Sequence, residues 1–116
     1  MMLSLLKSVG FSGVEALGEV IFARSQPHLP EFTATPDADG WGLAFAWPLR
    51  ATAAQIEAWN DHNPSMPMDL HLGETRIRTH ILAEAKALQA WAAQIDVMVA
   101  HCTEWRRATR QRDEGM

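Results

Sequence analysis

The sequence predicts an α+β domain: a small antiparallel sheet built from two hairpins, with a short middle helix and a long C-terminal amphipathic helix packed on it. Three observations carry this expectation. Bulky and small residues alternate strictly from Trp41 to Trp47, after a turn-forming Asp37-Ala38-Asp39-Gly40. Thr52 and Gln55 have the spacing of a helix-capping box. From Ala83 to Arg110 no Gly or Pro interrupts a run rich in good helix formers.

The chain has 116 residues, which is room for a single domain spanning 1–116, with a basic C-terminal tail from about Arg106. Apolar residues make up 47% and charged residues 21%, values close to globular averages, so a packed core is expected rather than a disordered chain. The opening stretch Met1 to Gly10 is apolar but far shorter than the roughly 18 to 20 residues of a membrane span. Its one cation, Lys7, lies behind Leu3, Leu5 and Leu6, the reverse of a secretory signal. No membrane association is expected.

From Ser12, residues Val14, Leu17 and Ile21 recur at helical spacing, while Glu19 to Ala23 reads equally well as a short strand. Both readings stand for this quarter of the chain. Pro27 and Pro30 mark Ser25 to Pro30 as a loop. Glu31 to Pro36 and Trp41 to Trp47 then form the arms of a hairpin. In the second arm Trp41, Leu43, Phe45 and Trp47 share one face and Gly42, Ala44 and Ala46 the other, so the bulky face is expected to be core.

Pro48 stops that strand, and the capping box opens a helix carrying Ile56 and Trp59 that ends at Asn63-Pro64. Met68, Leu70 and Leu72 alternate with Asp69 and His71. After a turn at Gly73-Glu74, Ile77, Thr79 and Ile81 alternate with Arg76, Arg78 and His80, which predicts a second hairpin. In the last helix Leu88, Trp91, Ile95, Met98, Cys102 and Trp105 step by three and four, a seam near a 3.5-residue period. Packing on a sheet and self-association both require such a stripe.

A strand of five or six residues spans about 17 to 20 Å, whereas a helix from Ala83 to Arg110 runs about 42 Å. The helix should outrun its sheet. Met98, Cys102 and Trp105 are therefore expected to be covered by another polypeptide, either a second subunit or a client, with Arg106 and Arg110 extending the same partner-binding surface. Charge is segregated as well: Met1 to Cys102 carry six bases and eleven acids, while Thr103 onward has a net charge of +1. Cations in the final turns also suit the helix dipole.

Catalytic and metal-binding patterns are absent from the sequence. The five histidines, His28, His62, His71, His80 and His101, form no H-x-x-x-H or H-E-x-x-H. His71 and His80 with Asp69 are the one set that a hairpin could bring near each other, and they define the enzyme alternative. Asp61-His62 suits a helix end better than a catalytic cluster. His101 and Cys102 point about 100° apart on a helix, so adjacency does not make them a base and nucleophile. Gly10-Phe11-Ser12-Gly13 and Gly40-Trp41-Gly42 lack the context of a phosphate-binding loop. No cofactor, metal or catalytic residue is expected.

With Asp39-Gly40-Trp41 opening a strand, Trp59-Asn60 closing the middle helix, the second hairpin from Met68 to Leu82 and Trp91 within a terminal amphipathic helix, the chain resembles the YbjN family. That family has the fold of type III secretion chaperones. The resemblance spans roughly Asp37 to Trp105 and implies a small, acidic, usually dimeric protein that binds another polypeptide and catalyses nothing.

A net charge of -4 argues against a nucleic-acid partner, and a single cysteine is consistent with a reducing cytoplasm. The expected function is a non-enzymatic protein-binding module, chaperone-like or adaptor, with a second copy of the chain as one candidate partner. The alternative within binding proteins is a phage-encoded inhibitor such as an anti-CRISPR, or a toxin-immunity protein.

Overall fold

The computed structural model describes residues 2–114, with side chains through Arg110. Helix α1 (Met2–Val9) is followed by β1 (Ser12–Leu17), β2 (Val20–Arg24), β3 (Phe32–Asp37) and β4 (Gly40–Trp47). Then come α2 (Ala53–His62), β5 (Met68–His71), β6 (Glu74–Ile81) and α3 (Ala85–Glu114). The strands form one six-stranded antiparallel sheet in the order β1-β2-β3-β4-β6-β5. The α+β class holds, but the sheet contains three hairpins rather than two.

The additional hairpin is β1–β2, and it replaces the helical reading of Val14, Leu17 and Ile21. Gly13 and Gly18 take φ of +57° and +63°, left-handed values that a helix cannot contain. Leu17, part of the apparent helical stripe, is 72% exposed. Ile21 and Ala23 alternate inward, as the strand alternative requires. The helix of this region lies earlier, in the apolar opening run. It ends where Gly10 N–H donates to the Lys7 carbonyl and Phe11 N–H to the Leu6 carbonyl, each at 3.1 Å, a Schellman stop with Gly10 at φ +104°. Leu6 and Phe11 both enter the core.

The turn of the β5–β6 hairpin is Leu72-Gly73, one residue earlier than expected, because His71 pairs with Glu74. Both turn residues have positive φ, 52° and 81°, the pattern of a tight primed turn whose twist suits the flanking strands. The capping box forms as expected: Gln55 N–H donates to Thr52 Oγ1 at 3.1 Å, and Thr52 N–H donates to Gln55 Oε1 at 2.9 Å. Between β4 and α2, the buried Thr75 hydroxyl donates to the Leu49 carbonyl and accepts from Ala51 N–H at 3.0 Å. The linker is thereby tied to β6, which sets where α2 begins.

One face of the sheet supplies Ile21, Ala23, Phe32, Ala34, Leu43, Phe45, Met68 and Ile77 to a single core. Met2 and Leu6 of α1, Trp59 of α2 and the stripe of α3 complete it. The bulky face of β4 is therefore core, while Gly42, Ala44 and Ala46 occupy the open face beside Thr33 and Arg78. Leu88, Trp91, Ile95, Met98 and Cys102 are all 0% exposed. This corrects the expectation that another polypeptide covers Met98 and Cys102. The chain enters α3 just after Ile81, opposite Trp41, and Arg106 reaches Pro48 past the far end of β4, so the helix runs along that strand. The eight residues of β4 and of β6 span about 26 Å, enough for the roughly 21 Å of helix from Leu88 to Cys102. The expected overhang does exist, but it begins later. Arg106 to Arg110 are all exposed, and the longest dimension of the molecule is 53 Å.

Candidate functional site: a cleft between the middle and C-terminal helices

Helix α2 lies beside α3 and is fastened to it by Gln94 Nε2, which donates to Asn63 Oδ1 at 2.5 Å. Asn63 in turn caps α2 through Nδ2, which donates to the Trp59 carbonyl at 3.0 Å. Trp59 is buried, and its indole N–H donates to the Met66 carbonyl at 2.8 Å, so the ring cannot turn without losing a hydrogen bond. His101 meets Trp59 edge-on, with centroids 5.8 Å apart and planes at 89°. On its other side His101 stacks on half-buried Trp105, again at 5.8 Å, with planes at 28°. The three rings form one wall of an open cleft of about 520 Å³, completed by Ala54, Ala58 and the polar edge of Gln55 and His62.

This geometry suits recognition. The volume lies in the range of a pocket that accepts one bulky group, and apolar surface dominates its lining. His62 Nδ1 is 2.9 Å from the Ala58 carbonyl, so that nitrogen donates within α2. The oxygen of Gln55 is held by the capping box. Ala54 and Ala58, small and exposed, share the lining with Trp105 and fill little of the cleft.

The five residues expected to bind a partner separate into three environments. Met98 and Cys102 are core, as corrected above. Burial pushes the Cys102 thiol up to about 11, partly offset by the Arg106 cation, so it stays protonated and unreactive at neutral pH. Trp105 lies in the cleft. Arg106 donates through Nη2 to the Pro48 carbonyl, which ties the start of the overhang to the end of β4. Helical geometry at 100° per residue turns Arg106 and Arg110 roughly 100° to 140° away from Trp105, onto a different flank.

His71, His80 and Asp69 are not brought together. Asp69 receives two hydrogen bonds from Arg76, at 3.0 and 2.9 Å, and lies 3.2 Å from Arg78. The Arg76 bonds are the main reason its carboxyl stays below the ordinary value, and the same contact raises Arg76. His80 sits by the β3–β4 turn, 3.8 Å from Asp37 and 3.6 Å from Asp39. It pairs with Gly42, whereas Asp69 pairs with Arg76 four residues along β6, about 13 Å away. His71 is exposed opposite Glu74 at the hairpin end. Among the described residues, no three His, Cys, Asp or Glu side chains are arranged to hold a metal ion, and no helix is long and apolar enough to cross a membrane.

Sequence reasoning missed His101 and the Ala54/Ala58 pair as cleft residues. The signal was faint: small residues four apart on a short helix, and a histidine four residues before a tryptophan on a long one. Comparison with protein-family models, with curated proteins and with solved structures finds no match for this chain.

Proposed function

We propose that the chain is a protein-binding module, chaperone-like or adaptor in character, that receives a bulky apolar side chain of its partner in the cleft between α2 and α3. The observation that carries this reading is the fixed wall of Trp59, His101 and Trp105 facing an open, mainly apolar hollow. Tryptophan in a preformed pocket is a frequent anchor of binding energy, because burial of its large surface costs little side-chain entropy. The resemblance to the YbjN family is part of the same proposal and points the same way, toward a polypeptide partner.

A selection of displayed random peptides tests it. Selection on the wild type, with counter-selection on Ala58→Arg to fill the cleft, is expected to enrich sequences that share a bulky apolar residue and lose binding to the filled variant. Enrichment indifferent to Ala58→Arg overturns the assignment of the site.

A further inference from the structure

The cleft occupies one flank of α2, and the opposite flank has a second apolar hollow of about 520 Å³, formed against β5 by Ala53, Ile56, Met68 and Leu70. Between the two hollows runs the exposed crest of α2, where Ala54 and Ala58 are small enough to let another backbone approach closely. Glu57 and Asp61 stand where this crest meets the second hollow and share its lining, four residues apart and hence neighbours of like charge on the helix surface, an arrangement that is unfavourable until a cation intervenes. Neither forms an ion pair among the described residues, and α2 itself carries no Lys or Arg. Asp69, at the rim of the second hollow, differs because Arg76 and Arg78 already compensate it.

Resting on the reading of the cleft as a protein-binding site, we infer that the partner segment is a basic amphipathic helix lying across α2, with apolar side chains in the hollows and cations at Glu57 and Asp61. An extended segment adding to the sheet is disfavoured at this edge. Asn60 Oδ1 accepts from Met68 N–H at 2.7 Å and Asn60 Nδ2 donates to the Met68 carbonyl at 3.2 Å, so the first pair of edge groups on β5 is already occupied. The overhang of α3 in a second copy supplies charge but a poor anchor, since Arg106 to Arg110 reads Arg-Arg-Ala-Thr-Arg with no bulky apolar residue.

The test uses two labelled synthetic helices of 18 residues with the same leucine face, one with a lysine polar face and the other with a glutamate polar face, measured by fluorescence anisotropy at moderate salt. The lysine peptide is expected to bind at least tenfold tighter. Glu57→Lys with Asp61→Lys should remove most of that advantage, whereas Glu15→Lys with Glu19→Lys, on the remote β1–β2 hairpin, should leave it intact. Equal affinity for the two peptides, or equal loss from the two charge reversals, overturns the inference and leaves the cleft reading standing. If Trp105→Ala affects neither peptide, the cleft reading fails instead. Circular dichroism on each variant controls for folding. Light scattering supplies the remaining arm: self-association abolished by Arg106→Glu, Arg107→Glu and Arg110→Glu would make α3 of a second copy the occupant and overturn the choice of an external helix.

Discussion

Asn60 and Met68 form a two-bond bridge in which a side-chain amide imitates a strand: the Asn60 oxygen accepts the Met68 N–H at 2.7 Å and its nitrogen donates to the Met68 carbonyl at 3.2 Å. Helix α2 is joined in this way to the edge strand β5, and the second hollow is held open between them. Asn60→Ala strands both main-chain groups and should cost about 1 to 2 kcal/mol. Chemical denaturation measures the loss, and faster hydrogen exchange at the Met68 amide locates it. An unchanged exchange rate would mean that the bridge adds nothing to the edge.

Asp69 and Arg76, paired across β5 and β6, predict a pH signature. The folded carboxyl titrates below its ordinary value because Arg76 bonds its ionised form, so its contribution is complete above the unfolded value near 3.9 and disappears as pH falls through the lower folded value. The Asp69 side chain is 37% exposed, so solvent screening holds the worth of the pair to about 1 kcal/mol or less. Asp69→Asn should therefore be less stable than wild type at about pH 6 and approach it as pH falls below the ordinary carboxylate range. A constant difference across that range would assign the effect to packing.

Cys102 supplies a kinetic counterpart. With a thiol pushed up to about 11 and no exposed surface, it should resist a thiol reagent at pH 8 in the native protein and react quickly once the chain is unfolded in denaturant. Labelling of the native protein at the unfolded rate would show that the Met98 to Trp105 segment of α3 opens readily.

The success and failure of the sequence reading follow from which constraints are local. The β3–β4 hairpin, the Thr52–Gln55 cap and the seam of α3 were legible because turn chemistry, capping and side-chain period act within a few residues. Val14, Leu17 and Ile21 left helix and strand both open because a chance 3-4 spacing was visible, while the left-handed backbone at Gly13 and Gly18 that forbids the helix was not. The environment of Met98 and Cys102 depended on strand length: β4 and β6 run eight residues each, longer than the five or six against which the helix was measured. The cleft was the least legible feature, since it exists only where α2 and α3, some forty residues apart in the chain, are brought side by side by the Gln94–Asn63 and Thr75 contacts.

Phe45 is buried on the core face of β4 at 1% exposure, next to Trp47. Truncation to alanine leaves a cavity in a floor made of six strands and should cost about 3 to 5 kcal/mol. A denaturation midpoint close to that of the wild type would mean that α3 collapses into the space.

Trp91 and Trp105 lie fourteen residues apart on α3, and their contrast separates fold from function. Trp91 is fully buried and meets Phe32 edge-on at 5.8 Å, so Trp91→Ala should cost about 3 to 5 kcal/mol, a large share of the stability of a small domain. Trp105 is half-buried against His101 at the mouth of the cleft, where truncation removes ring contact without emptying the core. Trp105→Asp should therefore cost no more than about 2 kcal/mol, since the position is already part-exposed and the carboxylate stays hydrated. The same change places a charge where an apolar partner group is to be buried and should weaken peptide binding by at least tenfold. Circular dichroism melts and anisotropy on the two variants distinguish the roles. Global unfolding of Trp105→Asp would return this residue to the core, and unaltered peptide affinity in a folded Trp105→Asp would remove the cleft as the binding site.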